Sequence, residues 1–127
     1  MFSFSNCILV LLGGGLGSLS RYLVSVWAYG RFGNHFPYGT LIVNILGCLA
    51  IGFVLTLAIE KLIVTENIRL LLVTGFLGGF TTFSAFGFET LHLMRTGNTM
   101  LALVYIGASV IAGLAAVWIG VHIAKLI

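Results

Sequence analysis

The chain has 127 residues, 60% of them hydrophobic and 7% charged, with a formal charge of +3 and a mean hydropathy of +1.18. Soluble domains carry about 25% charged residues, so this composition excludes an ordinary soluble fold and leaves an all-α polytopic membrane protein. At about 20 apolar residues per crossing, the length provides four spans with short turns, a single unit over residues 1–127 whose first partner is the lipid bilayer.

The six basic residues are scattered along the chain rather than gathered in a run, so nucleic acid is not an expected partner. No Lys or Arg precedes Arg21, so the first apolar stretch is expected as a retained helix, not a signal peptide. Cys7 and Cys48 have no ligand spacing and are expected as buried small apolar side chains.

Helix one is expected over about residues 7–29. It carries Gly13-Gly14-Gly15-Leu16-Gly17, Ser18, Ser20 and Arg21, with Gly13, Gly17 and Arg21 on one face. Small residues at this spacing suit close helix packing in a membrane. A guanidinium inside an apolar span is a functional candidate by default, and hydrogen bonding to freed carbonyls is its structural alternative.

Residues 31–35 form a polar turn, and Pro37 suits the first turn of helix two, expected over about 38–59. Here Thr40, Asn44 and Gly47 make one polar and small stripe. Asn44 is either an interhelical hydrogen-bonding group or an N–H donor to an anion. Thr65-Glu66-Asn67 provides a cap for helix three, expected over about 67–92.

Helix three holds the most unusual stretch, Gly75-Phe76-Leu77-Gly78-Gly79-Phe80-Thr81-Thr82-Phe83-Ser84-Ala85-Phe86. A paired glycine beside paired threonines weakens a helix, so a break is expected near Gly78-Gly79. Irregular backbone at membrane depth is tolerated only where it is buried in protein or lines a water-filled path. Phe76, Phe80, Phe83 and Phe86 fall at steps of four, three and three. Their positive ring edges suit an anion path, with Thr81, Thr82 and Ser84 adding hydroxyls, while freed carbonyls suit a cation. Glu89 is expected close to the interface, with a proton-linked role as the alternative.

Residues 95–98 form the clearest turn, and helix four is expected over about 99–125, with Tyr105, Ser109 and Gly113 on one face. Both termini then lie at one end with Lys61, Arg69 and Lys125, against Arg31 and Arg95 at the other. This near balance gives little positive-inside bias, which suits insertion in both orientations and an antiparallel dimer. No pair of side chains forms a nucleophile–base or metal-ligand motif, so an enzyme is not expected.

Together these motifs resemble the Fluc (CrcB-type) fluoride channel family over the whole chain: Gly13 to Gly17 leading to Arg21-Tyr22, Pro37-Tyr38-Gly39-Thr40-Leu41 with Val43-Asn44, and Gly75-Phe76 through Thr81-Thr82-Phe83-Ser84. The resemblance implies an antiparallel, dual-topology homodimer of four-helix subunits in the bacterial inner membrane. Such a dimer has two pores and passively exports fluoride, which protects the cytoplasm. It implies that Phe83 and Phe86 are the pore-lining rings and that Asn44 donates to fluoride. It places Thr40, Tyr105 and Ser109 along a polar track. It gives Gly78 and Thr81 as carbonyl ligands of a structural Na⁺ at the dimer centre. Ala85 and Gly113 depart from the pattern, which often has Thr and Ser there.

Two rivals are a proton-coupled multidrug exporter of four helices and a non-transporting assembly subunit. The exporter needs a carboxylate in its first helix, and here no acid precedes Glu60. The assembly subunit predicts that changes at Asn44 or Phe83 disturb association and no flux.

Overall fold

A computed structural model of the protein describes residues 3–127. Four helical spans are each long and apolar enough to cross a membrane: Phe4–Phe32, Tyr38–Ile59, Glu66–Arg95 and Thr99–Lys125. The first is α1 and the second α2. The third is divided into α3, residues 66–80, and α4, Phe83–Arg95, and the last is α5, Thr99–Lys125.

The apolar run of α1 starts three residues before its expected beginning, and α4 runs three beyond the expected end of helix three. Thr65 caps α3, its Oγ1 accepting from the Ile68 N–H at 3.4 Å. Gly97, with φ 84°, closes α4, and the Asn98 N–H returns to the Leu93 carbonyl at 2.8 Å.

The interruption of the third span lies at Thr81-Thr82, not at the glycine pair. Gly78 is helical (φ −61°, ψ −37°), whereas Thr81 and Thr82 are extended (ψ 158° and 121°). The two roles are separate. β-Branched threonines accept extended backbone readily, and Thr82 Oγ1 caps α4 by accepting from the Ala85 N–H at 3.2 Å. The glycines serve packing. A Cβ on Gly79 would run into the Gly14 carbonyl, one on Gly17 into the Phe76 carbonyl, and one on Gly13 into the Leu71 carbonyl. Backbone therefore meets backbone along the α1–α3 seam. Within α3, Leu70–Leu77 winds as a π-helix, and through it Gly75 and Gly79 both face α1.

α2 and α5 form a second seam, where Gly52 lies against the backbone of Val117 and Gly120 against that of Leu49 and Phe53. A small core of Phe36, Leu93, Ala102 and Tyr105 fills the bundle at the α1–α2 loop end, with Tyr38, Leu41 and Phe86 against it. Outward faces stay apolar, among them Leu11, Leu12, Leu16 and Leu19 on α1. At the opposite end Lys125 Nζ lies 3.6 Å from Glu60 Oε2, a half-exposed pair joining α5 to α2.

Candidate functional site

Breaking a helix frees backbone groups that must find partners. Asn44 of α2 supplies them at Thr82. Its Oδ1 accepts from the Thr82 N–H at 2.9 Å, and its Nδ2 donates to the Thr82 carbonyl at 3.0 Å. The pairing fixes the amide orientation, because only the oxygen can receive an N–H. One Nδ2 hydrogen is left over, since a carboxamide carries two. Asn44 is therefore an interhelical clamp with a spare donor.

Gly47, one turn along α2, makes room for the clamp. A Cβ there would collide with the Thr81 methyl group. Thr81 Oγ1 donates to the Leu77 carbonyl at 2.8 Å, and Thr82 Oγ1 lies 3.2 Å from Ser84 Oγ.

Asn44, Thr82, Phe83, Phe86 and Ser109 line one groove of about 420 Å³, with Gly78, Thr81 and Cys48 along its margin. The Phe83 and Phe86 ring centroids are 5.6 Å apart at 43°. Phe86 is half-buried, but Phe83 is 83% exposed. The Ser109 Oγ is buried and has no hydrogen-bond partner among the described residues. Cys48, expected to be buried, is half-buried, and its Sγ lies 3.4 Å from where a Cβ on Gly113 would stand.

Glu89, expected close to the interface, joins the polar track of Thr40 and Tyr105. Its Oε1 accepts from Thr40 Oγ1 and its Oε2 from the Tyr105 hydroxyl, both at 2.7 Å. Three helices thus meet at one carboxylate, and Tyr105 is fully buried. The Tyr105 ring also stands edge-on to Phe86, centroids 5.1 Å apart at 76°. Thr40 and Glu89 line a second cavity of about 260 Å³ at the α1–α2 loop end. The triad with Phe86 therefore stands between the two cavities. A usable signal was in the sequence: residues 40, 89 and 105 all fall within two turns of the same end of their spans.

Arg21 is half-buried on α1, and among the described residues it forms no ion pair within the protomer.

The break also bears on cation binding. The Thr82 N–H goes to Asn44 rather than to the Gly78 carbonyl, and the Ala85 N–H to Thr82 Oγ1 rather than to the Thr81 carbonyl. Among the described residues, neither the Gly78 nor the Thr81 carbonyl accepts a backbone hydrogen bond. Among the described residues no cluster of His, Cys, Asp or Glu could hold a metal ion. Free carbonyl oxygens without thiolates or imidazoles suit a hard cation rather than a soft one, and Na⁺ is of that kind.

Residues 8–121 match the family CrcB-like protein, Camphor Resistance (CrcB). The fluoride-specific ion channel FluC of Chloroflexus aurantiacus is 49% identical over 121 residues, covering 95% of this chain and 96% of the relative. That of a Roseiflexus species is 48% identical over 122 residues (96% and 98%). That of Hydrogenovibrio crunogenus is 44% identical over 124 residues (98% and 94%). At this identity and near-complete coverage of both chains, the protein belongs to the CrcB family of FluC fluoride-specific ion channels.

Proposed function

We propose that this protein is a passive, fluoride-selective channel of the bacterial inner membrane that lets the ion leave the cytoplasm. The observation that carries the reading is the groove beside the broken span, a largely apolar passage with a few polar side chains in its wall. Asn44, with its spare N–H, Ser109 and the rings of Phe83 and Phe86 line it, and no fixed positive charge does. The relatives' name as fluoride-specific channels supports it.

Fluoride is small and holds its water tightly, so a path must replace that water with closely placed donors. Asn44 and Ser109 supply N–H and O–H donors, and Thr82 and Ser84 add hydroxyls at the break. Phe83 and Phe86 supply weak positive potential at their edges. Thr40 and Tyr105 extend the polar track towards the end cavity, their hydroxyl protons both given to Glu89. A ring of Arg or Lys would bind the ion strongly enough to slow its release, whereas weak, successive sites let it leave.

The functional unit of this proposal is an antiparallel, dual-topology homodimer of single four-helix domains with two pores. Support comes from the near-even charge at the two ends and from Phe83, whose ring has little cover within one protomer. The Gly78 and Thr81 carbonyls from the two copies would hold a structural Na⁺, whose charge would satisfy the freed oxygens and tie the broken spans together.

The test is efflux from liposomes loaded with fluoride, read with a fluoride electrode and compared with chloride. Rapid fluoride release without chloride release or a proton gradient is expected. Strictly proton-dependent release would instead favour a coupled transporter acting through Glu89.

A further inference from the structure

Phe36 is the point at which the α1–α2 loop enters the bundle. Gly33, at φ 78°, closes α1 and turns the chain, Asn34 and His35 stay exposed, and Phe36 goes inside. The Tyr38 N–H donates to the Phe36 carbonyl at 2.9 Å and holds the loop there. The Phe36 ring makes a T-shaped contact with Tyr105, centroids 5.5 Å apart at 64°, and packs on Tyr38 at 4.8 Å. Tyr105 in turn meets Phe86 at 5.1 Å and 76°, and Phe86 meets Phe83 at 5.6 Å. A row of rings therefore runs from the loop to the groove, although Phe36 itself is not part of the groove wall.

What such a row controls is the plane of a ring. An aromatic ring is positive at its edge and negative on its face, so Phe86 attracts or repels an anion in the groove according to how it is turned. The bond from the Tyr105 hydroxyl to Glu89 does not fix the plane of the Tyr105 ring, because that oxygen lies on the axis about which the ring rotates. Phe36 presses on the ring away from that axis, so it does fix the plane. The T-shaped contact of Tyr105 with Phe86 passes the constraint on. We infer that Phe36 is a positioning residue for the ion path: it sets the plane of Tyr105 and, through it, the edge that Phe86 presents to the groove. The inference rests on the channel reading above.

The experiment pairs fluoride efflux from proteoliposomes with fluorine NMR of meta-fluorophenylalanine placed at position 86, recorded in fluoride-free buffer. The meta fluorine lies off the ring axis and so reports the plane. Phe36→Leu and Phe36→Met keep apolar bulk but have no ring. Each is expected to slow efflux by up to about fivefold, the weight of one aromatic pair in an equilibrium, and to shift or broaden the resonance. Phe36→Tyr, which keeps the ring, is expected to retain both the rate and the resonance. Thr65→Ala removes the cap of α3 at the opposite end and serves as a destabilised control, expected to change neither. Unchanged efflux in Phe36→Leu and Phe36→Met, or slowed efflux with an unmoved resonance, overturns the inference and leaves the channel reading intact. Absence of fluoride release from the unmodified protein overturns both.

Discussion

Asn44 and Thr82 exchange two hydrogen bonds, at 2.9 and 3.0 Å, so that one side chain of α2 completes the backbone of the broken third span. In Asn44→Ala both Thr82 groups lose their partner. An unsatisfied buried polar group costs about 1–3 kcal/mol, so the variant should lose thermal stability as well as fluoride flux. Asn44→Asp keeps the acceptor but sets a carboxylate against the Thr82 carbonyl, and should also lose flux. Melting curves and efflux measured on the same preparations check both statements. A fully active Asn44→Ala protein would exclude a direct role in the path.

Phe83 makes the opposite prediction. Its ring is largely exposed within the protomer, so Phe83→Ile should leave folding of the subunit unchanged within about 0.5 kcal/mol. Flux should fall, because the ring edge is gone. Normal efflux from this variant would remove the ring pair from the mechanism.

The two adjacent glycines should behave differently on substitution. A Cβ on Gly78 meets nothing nearer than the Val73 carbonyl at 3.9 Å, whereas one on Gly79 strikes the Gly14 carbonyl. Gly79→Ala should therefore cost about 1–3 kcal/mol, as overpacking does, while Gly78→Ala should be near neutral for the subunit. Equal melting temperatures would contradict the backbone seam between α1 and α3.

Removing the carboxylate in Glu89→Ala leaves the Thr40 and Tyr105 hydroxyls without their acceptor. A drop in melting temperature is expected together with slowed flux. Glu89→Gln, which still offers one acceptor oxygen, should recover part of both. An Ala variant as stable and as active as the original would show that the triad holds neither hydroxyl in a useful place.

If the Gly78 and Thr81 carbonyls hold Na⁺, preparation in sodium-free buffer should lower the melting temperature, and added Na⁺ should restore it progressively, with the logarithm of its concentration once the site is filled. An unchanged melting temperature across a sodium titration argues against the cation.

Much of this architecture was legible in residues alone. Four apolar runs separated by 31–35, 60–66 and 95–98 leave few ways to cross a bilayer, and Tyr38–Ile59 matches its expected bounds. The break was legible in kind but not in place, because a glycine pair signals either conformational freedom or close approach. Only the position of Gly14 opposite Gly79 decides between them. The Asn44 clamp was half legible, as a hydrogen bond across helices without its partner. The Glu89 contacts were not legible, because they are a relation among α2, α4 and α5: residues 40, 89 and 105 share one end of their spans, but spacing along the chain does not say which helices are neighbours.

The π-helical stretch Leu70–Leu77 sets a rule of length rather than of composition. A π-turn is equivalent to an α-helix carrying one extra residue. Deleting one residue there would let ordinary winding return and leave what lies beyond close to its present register, whereas a further inserted residue would turn everything beyond by about 100° and shift it by about 1.5 Å. Gly79 would then leave the α1 seam, and Thr82 would leave Asn44. The Leu and Val positions of this stretch should accept exchange among Leu, Ile, Val and Met, and the stretch should tolerate a lost residue better than an added one. In a saturation library it would stand out by frame, with substitutions and some single-codon deletions recovered and single-codon insertions missing.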